Sequence, residues 1–319
     1  MSLPPLVVIV GPTGVGKTAA AVRLAARVPI EAVNADSRQV YRGMDIGTGK
    51  PTGEEQAALA HHLIDVADPD ERYHAARFRA EALDAIGLIR ARGKLPVVVG
   101  GTGLYVRALL KGLYPAPPAD PALRRELEAL AQAGGAPALH ARLAALDADA
   151  ARRLHPNDRV RVVRAIEVRT AAGGAMQADP AQRAAADWSR DVAGWRLLMV
   201  GLGQARPALH RRLAERARGM LARGMMEEVL RLLDAGYDEA LPAMAGIGYR
   251  QLSAVARGRM SPAEALRLMI RDTTRYAKRQ MTWFARDPQV RWIDVDAAGG
   301  AEGVAEAVFK QITEEGLTE

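Results

Sequence analysis

Short apolar runs alternate with amphipathic stretches along the N-terminal third of the chain. Leu6–Val10 and Leu95–Val99 are continuously apolar and each run ends at glycine, which is typical of strands buried on both faces of a parallel sheet. Glu31–Asn34 predicts a shorter strand. Amphipathic patterns predict helices from Lys17 to about Arg27 and from about Ala75 to Ala91. This alternation predicts βαβ units and a doubly wound, parallel α/β sheet.

The pattern changes at a proline-rich segment, residues 114–121. From there to about Asp191 only helical patterns occur, and strand-like patterns return at Trp195–Leu202 and Val290–Val295. Helical patterns dominate between those two strands, to about Arg286. We therefore expect an α/β core formed by residues 1–113 and 195–319, with an all-helical insertion domain at 114–194.

Composition narrows the class of protein only slightly. The chain has 44 Lys and Arg residues against 37 Asp and Glu residues, a formal charge of +7. This excess suits a polyanionic partner, but a GC-rich genome, which favours Ala and Arg codons, also produces it. The absence of cysteine excludes disulfides and thiolate metal sites. No apolar segment is long enough to cross a bilayer, and the first residues lack the basic start of a signal peptide. We expect a cytoplasmic protein that does not bind membranes.

The strongest motif follows the first predicted strand. Residues 11–18 read GPTGVGKT and match the phosphate-loop pattern G-x-x-x-x-G-K-[ST], between a buried strand and a helix as that loop requires. Its backbone N–H groups and the helix N-terminus converge on an anion, Lys17 adds a full charge, and the Thr18 hydroxyl is placed to bind Mg²⁺. The motif predicts a site for a diphosphate-bearing ligand.

Two absences suggest what this loop does. No N-K-x-D segment occurs, which argues against a guanine-reading GTPase. The strand at Val97–Val99 ends in Gly-Gly, where many P-loop NTPases carry the acidic residue that holds magnesium. A carboxylate follows the second strand instead, at Asp36. The loop is thus suited to hold a diphosphate leaving group rather than to split a nucleotide.

Polar residues follow the predicted strands at their carboxyl ends, where open parallel sheets bind ligands. Asp36 faces the phosphate loop in this register, so it is a candidate metal ligand or proton acceptor, although an ordinary turn cap is the alternative. Thr102 lies between glycines, which suggests that a ligand approaches the backbone closely there. Arg216, on a basic helix after Gly203, is a candidate diphosphate clamp.

Nine segments together resemble the tRNA dimethylallyltransferase (tRNA isopentenyltransferase) family, in order along nearly the whole chain. They are GPTGVGKT (11–18), NADSRQVYRGMDIGTGKP (34–51), HHLIDV (61–66), GGTGLYVRALL (100–110), HPNDRVRVVRAIEV (155–168), GLG (201–203), GMMEEVLRLLDAG (224–236), GIGYRQ (246–251) and AKRQMTWFAR (277–286). The family pattern usually has glutamine where this chain has Val160, and arginine where it has Thr274.

The resemblance implies a P-loop core with a helical insertion. The implied reaction moves a dimethylallyl group from dimethylallyl diphosphate to the N6 amine of the adenine immediately 3′ of the tRNA anticodon. Mg²⁺ is the expected cofactor, and the anticodon stem-loop is the expected partner. We expect a monomer. Asp36 is then the general base, with Thr102 and Lys17 in the catalytic site. The resemblance implies that Thr13 to Thr18 hold the diphosphate and that Thr18 helps to bind Mg²⁺. Together with the motif and the basic helix, the candidate diphosphate-binding residues are Gly11, Pro12, Thr13, Gly14, Val15, Gly16, Lys17, Thr18 and Arg216.

The same resemblance implies a set of tRNA contacts. They are Asp36, Ser37, Arg38, Gln39, Thr102, Arg124, Val160, Arg161, Val162, Val163, Arg164, Gly246, Gly248, Tyr249, Arg250, Gln251, Arg275, Lys278, Arg279 and Gln280. Basic helical stretches support an RNA partner: residues 206–223 carry six arginines against one acid, and residues 152–169 six against two. Arg267, Arg271, Arg275 and Arg279 recur every four residues, on one side of a predicted helix.

Other interpretations remain open at this stage. A P-loop small-molecule kinase leaves the GIGYRQ and AKRQMTW segments unexplained, and an adenylate isopentenyltransferase does not need the long insertion or the basic C-terminal helices. A non-catalytic RNA-binding protein is a third alternative. His61-His62 has no third metal ligand at a useful spacing, so local structural contacts are expected. Trp283 and Phe284 are candidates either to stack on a base or to pack in the core, and the methionines at 220, 225 and 226 have the pattern of core residues.

Overall fold

Six parallel strands form a single sheet in the computed structural model, which describes residues 3–113, 117, 120–171 and 194–318. The strands are β1 (Pro5–Val10), β2 (Ile30–Asn34), β3 (His61–His62), β4 (Leu95–Gly100), β5 (Arg196–Gly203) and β6 (Val290–Asp294). Their order is β3-β2-β4-β1-β5-β6, and all neighbours are parallel. The predicted doubly wound α/β class is confirmed.

Helices cover both faces of the sheet. In chain order they are α1 (Lys17–Ala25), α2 (Gly53–Ala58), α3 (Ala75–Ala91), α4 (Gly103–Lys111), then, after the insertion, α8 (Arg206–Ala222), α9 (Met225–Asp234), α10 (Tyr249–Ala256), α11 (Pro262–Phe284) and α12 (Gly300–Glu314). None of the helices in the described part of the chain is long and apolar enough to cross a membrane.

The period of two along the central strands divides the core into two halves. In β1, Leu6, Val8 and Val10 point into one apolar cluster, whereas Val7 and Ile9 point into the other. The first cluster is completed by α3, α4 and the C-terminal helices α9 to α11, and the second by α1 and α12. Because helices cover both sides, nearly every residue of β1 and β4 is buried, which explains their uninterrupted apolar sequence.

The chain divides into two compact units, residues 1–112 with 188–319, and residues 113–187. In its described residues the second unit is helical, with α5 (Pro121–Leu146), α6 (Ala148–Arg153) and α7 (Arg159–Ala171). Helix α5 consists of two segments that meet at Gly135, whose φ of +66° is not helical. The apolar core of this second unit includes Leu127, Leu139 and Ile166. Residues 172–193 of the predicted insertion, and most of the proline-rich segment, lie outside the described residues.

The sequence prediction missed two short elements between β2 and α3. Helix α2 begins with a capping box, in which the Thr52 hydroxyl accepts from the Glu55 N–H and the Glu55 carboxylate accepts from the Thr52 N–H. The spacing of Thr52 and Glu55 is a signal that predicts a helix start. Strand β3 has only two residues and pairs with β2, so its sequence carries too little periodicity to be recognised.

Candidate active site

The phosphate loop connects β1 to α1, at the carboxyl edge of the sheet. Gly16 adopts φ +102°, a left-handed conformation that favours glycine, and precedes the first turn of α1. The first turn of α1 contains no acidic residue, and its N-cap, Gly16, has no side chain that could accept a hydrogen bond. The backbone N–H groups of this turn therefore remain available to an anion. The Lys17 ammonium donates to the Gly11 and Pro12 carbonyls, at 3.0 and 2.9 Å, which holds it across the loop.

Of the residues that the structure describes, five basic and three acidic side chains line the cavity above this loop, and Lys17, Asp36 and Arg216 influence one another most directly. Burial lowers the pKa of Lys17 to about 8, the nearby Asp36 carboxylate opposes this shift, and Arg216 adds to it. Burial also lowers the pKa of Arg216, and Asp36 opposes that shift as well. The basic side chains outnumber the acidic ones in this lining, and the excess of positive charge suits a diphosphate.

Asp36 follows β2 and is held by its own backbone. Its Oδ1 accepts from the Arg38 N–H at 2.8 Å, and its own N–H donates to the Asn34 Oδ1 at 3.2 Å. Within the described residues its Oδ2 accepts no hydrogen bond. The carboxylate is therefore both the turn cap that was weighed as an alternative and a group with one oxygen free toward the cavity.

Thr102 follows β4 and lies beside Asp36. Its Oγ1 accepts from the Ser37 N–H at 3.0 Å, and its side chain interacts with the Tyr276 hydroxyl of α11. Its backbone N–H donates to the Ala35 carbonyl at 3.1 Å. The tertiary fold thus joins the ends of β2 and β4 to α11.

The glycines around Thr102 have a packing role. A Cβ at Gly101 would lie 2.1 Å from the Gln280 amide, and one at Gly103 would lie 2.2 Å from the Trp283 ring. At Gly100 a Cβ would overlap the Ala35 backbone. These glycines admit other parts of the protein, which explains them without a ligand; the approach of a ligand beside Thr102 stays a prediction.

Two cavities meet at the site and share Thr13, Asp36, Thr48 and Arg216. The first, about 490 Å³, lies over the phosphate loop and is lined by basic and polar groups, including Arg212 and Arg223. The second, about 290 Å³, adds an apolar lining that comprises Leu213, Met220, Met225 and Met269. Met220 and Met225 are also core residues, as expected, with 8% and 0% of their surface exposed. A ligand with an anionic end and an apolar end fits this pair of cavities.

A buried carboxylate on α9 supports the cavity wall. Glu228, 1% exposed, accepts hydrogen bonds from the backbone N–H groups of residues 45, 46 and 47 and from the Tyr249 hydroxyl, at 2.6 to 3.0 Å. The next residue of that loop, Thr48, presents its carbonyl to Arg216 at 3.4 Å and to Gln39 at 3.4 Å. Sequence reasoning missed Glu228, because nothing local distinguishes it from its exposed neighbour Glu227.

The predicted tRNA contacts separate into exposed and buried positions. Arg275, Lys278 and Arg279 are exposed on α11, together with Arg267 and Arg271, which confirms that the arginine stripe lies on one side of that helix. Ser37, Arg38, Gln39, Gly246 and Arg250 line the two cavities. Arg38 is held by the Pro242 and Ala243 carbonyls, and Arg250 pairs with Asp272.

Four predicted contacts have buried side chains: Val162, Tyr249, Gln251 and Gln280 are 0 to 4% exposed. Val162 belongs to the core of the helical unit, and Gln251 bonds to the Gly248 N–H and to Asp272. In this structure these four side chains support neighbouring elements, and Tyr249 also lines the second cavity; their contact with tRNA stays a prediction. Gly248 has φ +94° and a Cβ there would overlap Met225, so it serves packing as well.

The remaining candidates belong to the helical unit. Arg124 and Arg164 both pair with the buried Glu167, and Arg161 pairs with Asp158. Val160 is 80% exposed, and Val163 is half-buried. The exposed surface of Val160 carries no polar group where the family pattern usually has glutamine.

The histidine pair has a structural role, as expected. His62 Nε2 lies 2.7 Å from the Glu31 carboxylate, and His61 Nδ1 lies 2.6 Å from the Leu59 carbonyl. Among the described residues, no group of three His, Cys, Asp or Glu side chains is close enough to hold a metal ion.

A phosphate loop, a carboxylate with one free oxygen and a basic cavity at the edge of a parallel sheet define a P-loop protein that binds phosphorylated ligands. The model of the IPP transferase family matches residues 39–287, and the model of the isopentenyl transferase family matches residues 4–67. The chain belongs to the IPP transferase family of prenyltransferases.

Individual proteins agree with this assignment. A tRNA dimethylallyltransferase of Geobacter sulfurreducens is 49% identical over 92% of each chain. The solved tRNA isopentenylpyrophosphate transferase of Bacillus halodurans is 37% identical, covers 98% of each chain and gives a TM-score of 0.69. A eukaryotic dimethylallyltransferase acting on tRNA is 26% identical, covers 91% of this chain and 74% of its own, and gives a TM-score of 0.73.

Proposed function

We propose that this protein transfers a dimethylallyl group from dimethylallyl diphosphate to the exocyclic N6 amine of the adenine immediately 3′ of the tRNA anticodon. The observation that carries the proposal is the junction of a basic cavity and an apolar cavity at Asp36 and Arg216. The α/β core would carry the chemistry, and the helical insertion would add contacts to tRNA. The enzyme would act as a cytoplasmic monomer.

The phosphate loop would hold the diphosphate of the donor. The N–H groups that open α1 and the Lys17 ammonium would neutralise its oxygens, and Arg216 would clamp it from α8. Arg212 and Arg223 line the same cavity and would extend this positive surface. An allylic diphosphate ionises as its leaving group is neutralised, so this part of the site lowers the barrier to C–O cleavage.

The apolar cavity would receive the five-carbon chain. Leu213, Met220, Met225 and Met269 offer it a flexible hydrocarbon and thioether surface. Burial of this chain excludes water from the developing allylic cation, which prevents hydrolysis of the donor.

A divalent cation fits the site together with the diphosphate. Thr18 and Asp36 line the same cavity, and Mg²⁺ is commonly held by one or two protein oxygens together with phosphate oxygens and water. The donor set therefore suits Mg²⁺ bound together with the diphosphate, with Thr18 as its protein ligand. When bound, the cation would neutralise charge on the leaving group.

Asp36 would act on the adenine amine. The amine nitrogen forms a bond to C1 of the donor while the C1–O bond breaks, and the diphosphate leaves with the bonding electrons. The amine proton passes to the free Oδ2 of Asp36. The Arg38 N–H holds Oδ1, so the carboxylate is already oriented before the substrate arrives. Thr102 lies beside this centre through Ser37.

The exposed side of α11 would grip the RNA backbone. Arg275 and Lys278 have no acidic partner among the described residues, and Arg279 lies over the Tyr276 ring and lines the apolar cavity. The adenine must leave its stack to reach Asp36, and contacts to the flanking phosphates would hold the loop in that state.

One incubation distinguishes this function from its alternatives. Purified protein is given labelled dimethylallyl diphosphate with either unmodified tRNA or AMP, and phosphate release from ATP is followed in parallel. Label on tRNA supports the proposal, whereas label on AMP indicates an adenylate isopentenyltransferase. Phosphate release from ATP in a reaction that labels neither acceptor indicates an ATP-hydrolysing P-loop enzyme, as a kinase without its acceptor can be, and no product indicates a binding protein.

Binding of inorganic pyrophosphate with Mg²⁺ should weaken as the pH rises through about 8. Lys17 has a pKa lowered to about 8, so it is charged below this pH and loses its charge above it. Affinity should fall by up to about tenfold per pH unit above that value, until the raised pKa of the complex is reached. Titration calorimetry from pH 6.5 to 9.5 measures the profile.

Lys17→Arg is the control for this profile, because a guanidinium stays charged throughout the range. Its profile reports only the titration of pyrophosphate itself. Identical profiles for the two proteins would contradict the role of Lys17.

Arg275→Glu should weaken tRNA binding by at least about tenfold at low salt and make the logarithm of affinity less dependent on the logarithm of salt concentration. A cation that contacts phosphate displaces counterions, so its removal reduces the slope. Filter binding at several salt concentrations measures both. Arg90→Glu on α3 is the matched control and should retain the wild-type slope. An unchanged slope for Arg275→Glu would identify this side of α11 as a solvated face.

A further inference from the structure

Gln280 connects two catalytic segments that are far apart in sequence. Its Oε1 accepts from the Thr13 N–H of the phosphate loop at 2.8 Å, and its Nε2 donates to the Gly101 carbonyl at 2.9 Å. The side chain is 4% exposed, so water does not compete for either bond. One amide therefore fixes the distance between the loop that holds the leaving group and the turn that carries Thr102.

The fold makes room for this amide. A Cβ at Gly101 would lie 2.1 Å from Nε2, so any larger residue at that position would displace the side chain. One turn earlier on α11, the Tyr276 side chain interacts with Thr102. The inner side of the helix thus contacts both catalytic segments through residues four positions apart, which share one face.

The outer side of the same helical turns carries the proposed RNA contacts. Arg275 and Lys278 are exposed and alternate in sequence with the inward-facing Tyr276 and Gln280. A helix turn moves as a unit, so a displacement of the exposed side also displaces the two inner contacts. Binding on one side of α11 and the geometry of the phosphate loop are therefore mechanically linked.

We propose that Gln280 is a positioning residue that couples tRNA contact on α11 to the diphosphate affinity of the phosphate loop. This inference rests on the proposed function. Bound tRNA would hold α11 in one position. Through its bonds to the Thr13 N–H and the Gly101 carbonyl, the Gln280 amide would then hold the phosphate loop and the Thr102 turn in the matching positions. By linkage, tRNA then tightens diphosphate binding and diphosphate tightens tRNA binding by the same factor.

The test measures this factor. The dissociation constant of inorganic pyrophosphate with Mg²⁺ is determined by calorimetry, with and without a saturating unmodified tRNA, for wild type and Gln280→Met. Methionine has nearly the same length and shape but neither accepts from Thr13 nor donates to Gly101 with comparable strength. Wild type should show at least about fivefold tightening by tRNA, and the variant less than about twofold.

Direct binding of tRNA to Gln280→Met should stay within about threefold of wild type, because the exposed side of α11 is intact. Gln311→Met on α12 is the matched control and should keep the wild-type coupling factor. If Gln280→Met does not fold, Gln280→Glu serves in its place. Its carboxylate still accepts from the Thr13 N–H, but its second oxygen repels the Gly101 carbonyl instead of donating to it. The coupling between tRNA and pyrophosphate binding should then be lost.

The outcomes are distinct. Coupling in wild type and its loss in a folded Gln280 variant support the inference. Coupling that persists in the variant, or is absent from wild type although tRNA binds, overturns it, because Gln280 then has only a structural role. Failure of wild type to bind tRNA at all contradicts the proposed function instead.

Discussion

Asp36→Asn is expected to lower the rate of prenyl transfer by at least about 10²-fold while tRNA affinity stays within a few-fold of wild type. Asparagine keeps an oxygen for the Arg38 N–H, so the turn after β2 retains its cap. It cannot take the amine proton, because its second group is an amide nitrogen. Single-turnover kinetics with saturating tRNA and donor measures the chemical step, and filter binding measures affinity.

Asp36→Ala removes both the base and the cap, and it should lower the rate at least as far as Asp36→Asn. Asp68→Asn is a matched control: this aspartate is exposed and pairs with Arg42 outside the cavities. It should leave the rate within about twofold, as surface changes commonly do. A near-normal rate for Asp36→Asn would show that another group accepts the proton.

Glu228→Gln is expected to reduce the free energy of unfolding by about 3 kcal/mol. The carboxylate accepts four hydrogen bonds, from three backbone N–H groups and from the Tyr249 hydroxyl. Glutamine replaces one acceptor oxygen with an NH₂ group that faces other donors, and this leaves buried N–H groups without a partner. Urea unfolding followed by circular dichroism measures the change.

Glu227→Gln provides the control for Glu228, because it changes the preceding residue of the same helix at an exposed position. It should alter the free energy of unfolding by less than about 0.5 kcal/mol. Tyr249→Phe removes only one of the four bonds and should reduce the free energy by about 1 kcal/mol. If Glu228→Gln is as stable as Glu227→Gln, the loop over the cavity is held by other contacts.

Much of the fold is local in origin and was predictable. The apolar runs Leu6–Val10 and Leu95–Val99 are strands because both faces of the sheet are covered, and the phosphate loop forms wherever its glycines join such a strand to a helix. The chain order of strands and helices identified the parallel α/β class. Strand β3 was missed because two residues hold no pattern.

The buried polar residues could not be assigned from sequence. The family resemblance implied that Gln280, Gln251 and Tyr249 contact tRNA, yet the structure buries all three side chains. A helix alternates inward and outward residues, but its sequence does not say which polar residue finds a partner inside. The partners lie 267 residues away for Gln280 and Thr13, and 21 residues away for Tyr249 and Glu228.

The sequence alone determined the phosphate loop, the alternation of strands and helices and the basic side of α11, because each depends on spacing within a few residues of chain. Only the tertiary structure decided that Asp36 and Arg216 face one cavity, that the glycines around Thr102 admit α11, and that Gln280 joins Thr13 to Gly101. The physical reason is that hydrogen bonds and close packing between distant segments depend on where the sheet places strand ends, and no local pattern encodes that arrangement.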